Sequence, residues 1–395
     1  MSIEYLPVGI ACNIACGYCY QDPMREAGNI NVSRNWSKVK EQLTRLGSDF
    51  SVFGGEPLLT PILHLEEVWA FGFEKFGKNG IQTNGSLITD KHIELFSRYG
   101  VQVGISIDGP GAMNDVRCAR DLTEKTEQAI EKLCAQGIST SIICTIHGGN
   151  NDIPALCNWL DSLSRGGIRY LNLHEMEIDC GRSNLALSEE RQIETFLELY
   201  EWSKTARIGV SPFTDIKSLL TQEHPQASCV WNACDPVTTA AVQGINPNGV
   251  MSNCGRTNKD GVNWVKADSP GRERYVALYN TPQAVGGCRD CKYFAFCKGH
   301  CPGTAIDGDW RNRTVNCRLW YSLFERIEFD LRSDKTVKLL CCSAKQRIVD
   351  RILTGVHPVN SHGDTPHGDS HGDHNDYGIP ATILKERPEW AKSRD

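Results

Sequence analysis

The chain has 395 residues, a formal net charge of −6 and 18 cysteines. This length is enough for one large domain and a smaller one. The sequence contains no dense stripe of Lys and Arg of the kind that binds a phosphate backbone, which argues against a nucleic-acid substrate. It also has no apolar signal segment and no apolar run long enough to span a membrane. We therefore expect a cytoplasmic protein with reduced thiols and not a disulfide framework.

Three closely spaced cysteines are the first feature along the chain. Cys12, Cys16 and Cys19 are separated by three and by two residues. Three thiolates can hold three irons of a [4Fe–4S] cluster and leave the fourth iron open to an exchangeable ligand, whereas a closed cluster takes four. A zinc knuckle is the alternative, although zinc ligands usually come as paired Cys-x2-Cys units.

Strand and helix patterns then alternate through the first half of the chain. Apolar runs predict strands at residues 5–11, 50–53, 80–83, 101–107, 139–146 and 169–174. Amphipathic patterns predict helices between them, for example at residues 35–46, 90–99 and 122–136. This βα repeat predicts an α/β fold. Small polar residues follow several of the strands, at the face where α/β barrels place their sites.

The cysteine triad and residues 53–57, Phe-Gly-Gly-Glu-Pro, together resemble the radical S-adenosylmethionine (SAM) superfamily. The resemblance implies a partial (β/α)6 TIM-like barrel. It also implies that the amino and carboxylate groups of SAM chelate the open iron, and that an electron from the cluster cleaves SAM to a 5′-deoxyadenosyl radical.

The same resemblance assigns contacts to SAM. Gly54 and Gly55 have no Cβ and let the backbone approach the ligand, while the carbonyls nearby and Glu56 offer acceptors to its ammonium group. The resemblance implies that Ser106 and Asp108 lie beside the SAM ribose. It also implies that Arg117 contacts the SAM carboxylate.

The second half of the chain carries a separate cysteine pattern that resembles the SPASM extension of some radical SAM enzymes. Cys-x2-Cys-x5-Cys-x3-Cys-x15-Cys begins at residue 288 and is preceded by Cys234-x14-Gly249-x4-Cys254. The resemblance implies two auxiliary [4Fe–4S] clusters. The first auxiliary set is Cys229, Cys234, Cys254 and Cys301, and the second auxiliary set is Cys288, Cys291, Cys297 and Cys317. If Cys229 is not a ligand, the first cluster has an open iron for substrate. A zinc-ribbon-like staple remains the alternative.

These resemblances divide the chain into four parts. We expect a radical SAM partial barrel at residues 1–215, a SPASM domain at 216–330, a C-terminal helix at 331–356 and a flexible tail at 357–395. The tail repeats His-Gly-Asp three times, a composition that cannot bury a core. Its histidines 367, 371 and 374 either are solvated or collect a divalent metal.

Candidate residues for the substrate follow the sixth predicted strand and the Gly-x4-Cys motif. His174 and Glu177 are candidate proton acceptors at the cleft. Arg256 either holds an anionic group or carbonyl oxygen of the substrate or pairs with a nearby acid. Cys118 or Cys180 either donates a hydrogen atom to a substrate radical or serves in ordinary packing.

The SPASM resemblance implies a peptide substrate. We expect a maturase that abstracts hydrogen from a ribosomally made precursor peptide and gives an oxidative crosslink or a backbone excision, such as the removal of tyramine by spliceases. A thiol that returns hydrogen would instead give epimerisation. The alternatives are an enzyme acting on a small-molecule natural product, an anaerobic sulfatase-maturing enzyme, and a non-catalytic electron carrier or zinc-bound interaction protein. The sulfatase branch has an Asp as base after the cysteine of Gly-x4-Cys, where this chain has Gly255.

The expected partners follow from the same reasoning. Only eleven residues precede Cys12, which leaves no room for a leader-recognition domain at that end. We therefore expect a small separate protein that presents the precursor peptide by β-strand addition. A reductant such as flavodoxin or ferredoxin would supply the electron.

Overall fold

The computed structural model describes residues 2–26, 28, 33–177, 183–222, 225, 227–231, 234–237, 242–257 and 272–354. The predicted tail, with histidines 367, 371 and 374, therefore lies outside the described residues, as does Cys180. Residues 1–358 form one compact unit. No helix within the described ranges is long and apolar enough to cross a membrane.

The described strands form one sheet, in the order β7-β6-β5-β4-β3-β2-β1-β8-β9. All neighbouring pairs are parallel except β8 with β9. The strands are β1 (Ser2–Tyr5), β2 (Ser51–Val52), β3 (Asn79–Thr83), β4 (Val101–Ser106), β5 (Thr140–Ile146), β6 (Tyr170–Glu175), β7 (Gly209–Ser211), β8 (Val242–Ile245) and β9 (Met251–Ser252).

Helices connect the parallel strands and cover the sheet. They are α1 (Asp22–Glu26), α2 (Trp36–Leu46), α3 (Ile62–Phe76), α4 (Asp90–Arg98), α5 (Arg120–Ala135), α6 (Ile153–Gly166), α7 (Glu189–Ser203), α8 (Phe213–Thr221), α9 (Glu273–Asn280), α10 (Phe294–Cys297), α11 (Cys317–Ser333) and α12 (Cys342–Thr354). The predicted βα repeat and the partial-barrel class are confirmed, and three predicted helices agree within two residues.

Local chemistry explains where these helices begin and end. The Asn35 side chain accepts a hydrogen bond from the Lys38 backbone N at 3.1 Å and starts α2. Gly47 ends this helix in the left-handed conformation, with φ of 64°. Between these caps, Val39 and Leu43 lie one turn apart and are both fully buried, which places one face of α2 in the core.

The first predicted strand is displaced in the structure. The prediction was residues 5–11, but β1 ends at Tyr5 and a turn follows. Gly9 has φ of 59° and its N–H donates to the Leu6 carbonyl at 3.1 Å, so the chain leaves the sheet before the cysteine triad. The apolar residues at 8–11 were misleading because they leave the sheet in a turn, and only Gly9 and Ile10 among them are buried.

The C-terminal part of the chain extends the same sheet. Strand β8 pairs in parallel with β1 through Ser2–Val242 to Tyr5–Ile245, so the sheet crosses the predicted boundary at residue 215. The predicted helix at 331–356 is two helices, because α11 ends at Ser333 and α12 begins at Cys342. The four domain limits remain predictions.

Candidate active site

The carboxyl ends of the parallel strands meet at one edge of the sheet, as in α/β barrels, and the cysteine triad lies there. The cluster loop, residues 9–21, follows β1. Its backbone pairs with the turn after β2: Gly55 N donates to Gly9 O at 3.1 Å, and Glu56 N donates to Ala11 O at 2.8 Å. These bonds fix the chain directly before Cys12.

A second set of contacts holds the cluster loop against the end of β3. The Asn13 side chain donates from Nδ2 to Ser86 Oγ at 3.0 Å and accepts from Asn84 Nδ2 at 2.9 Å. Asn13 lies between the first two cysteines of the triad, so these bonds set the path of the loop where its thiols must converge. Sequence reasoning did not find this role.

The three thiols of the triad are electrostatic neighbours. Burial raises the pKa of Cys12, and the Cys19 thiol adds to the rise. Burial, with smaller contributions from the Cys19 and Cys12 thiols, raises the pKa of Cys16 to about 12. Arg117 acts in the opposite direction on Cys16. Within the described part of the chain, no three His, Cys, Asp or Glu side chains are close enough to hold a single metal ion. A [4Fe–4S] cluster places each cysteine on a different iron, so this spacing fits a cluster better than one zinc ion.

Arg25, on α1, contacts the cluster loop through the third cysteine. Its Nη2 donates to Cys19 Sγ at 2.8 Å and its Nη1 donates to Ile10 O at 3.1 Å. Hydrogen bonds to ligating sulfurs are one of the ways in which proteins adjust iron–sulfur clusters. The sequence contains no signal for this residue beyond a basic side chain six positions after Cys19.

The two glycines of the Gly-Gly-Glu turn admit the cluster loop. A Cβ at Gly55 would lie 2.6 Å from the carbonyl carbon of Ala11, and closer still to the carbonyl oxygens of Ala11 and Ile10. A Cβ at Gly54, whose φ is 134°, would overlap the carbonyl oxygen of Gly9. The close approach in the structure is to the backbone of the cluster loop. The approach of these glycines to SAM remains a prediction.

Glu56 is fully buried and is saturated by donors from the ends of β2 and β3. Its Oε1 accepts from Leu58 N at 2.9 Å and Thr83 Oγ1 at 2.8 Å, and its Oε2 accepts from Asn84 N at 2.8 Å. Burial raises its pKa, and these hydrogen bonds oppose the rise. Glu56 thus ties two strand ends together, and its contact with the SAM ammonium group remains a prediction.

Asp108 is the centre of a buried polar cluster after β4. Its Oδ1 accepts from Thr145 N at 2.9 Å, and its Oδ2 accepts from the Tyr18 hydroxyl and lies 3.3 Å from His147 Nε2. Arg117 Nη1 donates to the Tyr18 hydroxyl at 2.7 Å and lies 3.8 Å from Asp108 Oδ1. This cluster holds the triad, through Tyr18, to β4 and β5.

The Asp108 cluster changes what the sequence suggested for its members. Asp108 was expected beside the SAM ribose and Arg117 beside the SAM carboxylate, but both are engaged by protein groups, and those SAM contacts remain predictions. Tyr18 and His147 were missed, because their partners are 90 and 39 residues away in the chain. Ser106 accepts a hydrogen bond from Gln82 Nε2 at 2.8 Å, and its ribose contact is also untested.

Cys118 lies just before α5, partly buried, in a small polar group. Its Sγ accepts from Asn114 Nδ2 at 3.5 Å and lies 3.5 Å from Thr123 Oγ1. These contacts fix the sulfur within its own turn, as expected of a packing residue. Hydrogen-atom donation by Cys118 remains a prediction.

The first auxiliary set is assembled from four separate segments. Cys229 interacts electrostatically with Cys234 and Cys301, and Cys254 interacts with Cys229 and Cys301. Burial raises the pKa of Cys229 to about 12. The structure therefore brings Cys229 close to the other three cysteines of this set, which supports its inclusion as a ligand.

Tyr20 connects the cluster loop to the first auxiliary set. It follows Cys19 in the chain, and a Cβ at Gly255 would lie 3.0 Å from its ring carbon Cε2. Burial raises the pKa of Tyr20, and the neighbouring Cys254 thiol, Glu4 and Cys19 raise it further. Tyr20, which follows the predicted ligand Cys19, thus packs against Gly255, which follows the predicted ligand Cys254. Sequence reasoning missed this contact.

The second auxiliary set surrounds a cavity. About 340 Å³ of space, part of which is open solvent, is lined by all four of its cysteines, Cys288, Cys291, Cys297 and Cys317, together with aromatic residues. The loops around it are held by the buried Arg274, which donates to five backbone carbonyls at 2.7–3.4 Å. A cavity with four thiols in its wall fits an iron–sulfur cluster.

The candidate substrate residues meet near the first auxiliary set. Arg256 donates from Nε to Glu177, and both side chains are largely buried. The alternative in which Arg256 pairs with an acid is therefore the one observed. Burial, with a smaller contribution from the charge of Arg256, lowers the pKa of His174 to about 4, so His174 is neutral at pH 7. His174, Glu177 and Arg256 remain predicted substrate residues.

Residues 6–160 match the model of the Radical SAM superfamily. The chain carries a radical SAM domain. Members of this superfamily bind SAM and a [4Fe–4S] cluster, the two cofactors expected from the cysteine triad. The domain contains the cluster loop, the Gly-Gly-Glu turn and the Asp108 cluster.

Known proteins similar to this chain include maturation enzymes. It is 20% identical over 345 residues to a cysteine-type anaerobic sulfatase-maturating enzyme of Clostridium perfringens, covering 76% of this chain and 88% of that protein. It is 29% identical over 158 residues to the sporulation killing factor maturation protein SkfB of Bacillus subtilis, 38% of each chain. Across the sulfatase-maturating relatives, the matched part spans 40% to 88% of their length.

The fold is similar to a solved structure. Native anSMEcpe with bound AdoMet and Cp18Cys peptide superposes with a TM-score of 0.64 at 18% identity, over 84% of this chain and 99% of that one. The matched part of this chain is larger than residues 6–160, and the likeness supports the partial-barrel fold.

Proposed function

We propose that this chain is a radical SAM maturase that oxidatively modifies a peptide substrate. The observation that carries the proposal is the contact of Tyr20 with Gly255, which packs the cluster loop against the first auxiliary set. When bound, the cofactors supply a reducing electron, the 5′-deoxyadenosyl radical that removes hydrogen from substrate, and acceptors for the electron left behind. Similarity to maturation enzymes supports the same proposal.

The residues of the chain would prepare this chemistry by holding and orienting groups. Cys12, Cys16 and Cys19 would hold the SAM-binding cluster. The Gly-Gly-Glu turn fixes the position of their loop by hydrogen bonds to its backbone. The Asp108 cluster fixes Tyr18 beside the second and third cysteines. The four cysteines of each auxiliary set would hold the auxiliary clusters, all within one compact unit.

A pocket at the edge of the sheet supports a peptide as the substrate. It has about 570 Å³ of space, part of which is open solvent, and its wall includes Ile146 and Met176, which are at the ends of β5 and β6. Other apolar side chains, the amides of Gln192 and Asn316, and the carboxylate of Glu189 complete the wall. Apolar surface with a few polar groups suits an amino-acid side chain together with the backbone groups beside it.

For the reaction, we propose a net oxidation of a ribosomally made precursor peptide. Removal of the electron would give a carbon–carbon or thioether crosslink, or a backbone excision of the splicease kind. The proposed partners are a small separate leader-recognition protein and a flavodoxin or ferredoxin. The many thiols of the chain agree with a reducing compartment such as the cytoplasm.

Sulfatase maturation is the second candidate, since several similar proteins carry that name. The residue after Cys254 argues against it. The sulfatase branch uses an Asp there, whereas this chain has Gly255, whose absent Cβ makes room for the Tyr20 ring. An acidic side chain at this position would require Tyr20 to move.

The proposal is tested by anaerobic assay of the reconstituted protein with SAM, reductant and the short peptides encoded beside its gene, with and without any small protein encoded there. Peptide mass spectrometry reads the result: a loss of two hydrogens indicates a crosslink, and a loss of a tyramine-sized fragment indicates excision. Sulfatase-derived peptides serve as the comparison. If 5′-deoxyadenosine forms while every peptide stays unchanged, the peptide proposal fails and a small-molecule substrate becomes the better account.

A further inference from the structure

Arg313 lies in the wall of the cavity formed by the second auxiliary set. Its backbone is held on both sides, because its N–H donates to Gly286 O at 2.9 Å and its carbonyl accepts from Ile306 N at 3.0 Å. Its Nη1 donates to Gln283 O at 2.5 Å and to Gly287 O at 2.8 Å. The guanidinium is therefore fixed in place, four residues before Cys317.

One nitrogen of the Arg313 guanidinium has no hydrogen-bond acceptor in the part of the chain that the structure describes. Arg313 Nε is buried and has no hydrogen-bond partner among the described residues. A buried N–H without an acceptor is rare in native proteins and calls for an unseen partner. The other buried arginine near this set, Arg274, shows the contrast, because all three of its side-chain nitrogens donate to backbone carbonyls.

Arg313 shares its cavity with the second auxiliary set. The cavity wall contains Arg313 and all four of these cysteines. The cation therefore lies in the same wall as the thiolates that would hold the cluster.

We propose that Arg313 donates its free Nε–H to a sulfur of the second auxiliary cluster and raises the reduction potential of that cluster. A reduced cluster carries one more negative charge than an oxidised one, so a fixed cation and a hydrogen bond to sulfur favour the reduced form. This inference rests on the proposed function and names a positioning residue for it: Arg313 makes the cluster a better acceptor for the electron that peptide oxidation releases.

The test is a redox titration followed by electron paramagnetic resonance, without any peptide. The full-length chain carries Cys12→Ala, Cys16→Ala and Cys19→Ala, so that only the auxiliary clusters contribute. In this background Arg313→Met removes charge and donor, and Arg313→Lys removes Nε but keeps the charge. Arg311→Met is the matched control, because Arg311 is exposed on the same loop and pairs with Asp309.

We expect one of the two auxiliary potentials to become more negative in Arg313→Met, to shift less in Arg313→Lys, and to stay unchanged in Arg311→Met. If Arg313→Met kept its full iron content and both potentials were unchanged, the role of Arg313 would be overturned, while the proposed function would be unaffected. Loss of about four irons in both Arg313 variants would make it an assembly residue and would also overturn the inference.

A separate measurement distinguishes failure of the underlying proposal. Replacing Cys288 and Cys291 by alanine is expected to remove about four irons and the potential that responds to Arg313. If the iron content did not fall, the second auxiliary set would hold no cluster, and the cofactor assignment itself would be wrong.

Discussion

Replacing Gly55 by alanine tests whether the Gly-Gly-Glu turn sets the position of the cluster loop. The new Cβ would lie 2.6 Å from the carbonyl carbon of Ala11, whereas ordinary contact begins near 3.4 Å. The loop must therefore retreat by about 0.8 Å or more, directly before Cys12. Overpacking of this kind costs about 1–3 kcal/mol of stability. A misplacement of about 1 Å can cost roughly 100-fold in rate, so we expect SAM cleavage to fall by that order.

The assay is the rate of 5′-deoxyadenosine formation from SAM under reducing, anaerobic conditions without peptide, together with iron content. Gly166→Ala is the matched control, because a Cβ there meets no atom within 4 Å. We expect the control to cleave SAM at the parent rate. Parent-like iron content and parent-like cleavage in Gly55→Ala would refute the view that close backbone packing places the triad.

Three further predictions concern stability. Tyr18→Phe removes the hydroxyl that donates to buried Asp108, so unfolding in urea should show a loss of about 1.5–3 kcal/mol; an unchanged midpoint would contradict it. Glu177→Gln removes the carboxylate that pairs with the largely buried Arg256, at a cost of up to about 5 kcal/mol; a second change, Arg256→Gln, should recover part of this loss. Burial lowers the pKa of His174 to about 4 in the folded protein. As the pH falls, the unfolded chain therefore takes up a proton on this imidazole before the folded protein does. Stability should therefore fall from pH 6.5 to 4, by up to about 3 kcal/mol for this residue, and His174→Asn should flatten that slope.

The fold class was predictable from the sequence, because it depends on local pattern. Helices such as α4 agree closely, since amphipathic spacing reports which face is buried. The three cysteine sets were assigned by resemblance to known families, and their role as cluster ligands remains a prediction. The short strands β7, β8 and β9 were missed: each has four residues or fewer, and β8 gains its place only by pairing with β1.

The supporting contacts could not be predicted, because their partners are distant in the chain. Position 55 requires a glycine because a side chain there would overlap the backbone of Ile10 and Ala11, more than forty residues earlier in the chain. Tyr18 and Arg117 meet 99 residues apart, and nothing in either neighbourhood signals the other. The contact of the Gly-Gly-Glu motif with SAM remains a prediction, and the structure adds that this turn packs against the backbone of the cluster loop.

The most direct test of the central claim follows hydrogen from peptide to SAM. The reconstituted protein would be incubated with SAM, reductant and a precursor peptide deuterated at its modified residue, and the 5′-deoxyadenosine analysed by mass spectrometry. Abstraction from the peptide predicts deuterium in the 5′-deoxyadenosine, in step with the peptide product. A modified peptide accompanied by 5′-deoxyadenosine that has gained no deuterium from any labelled position would contradict the account.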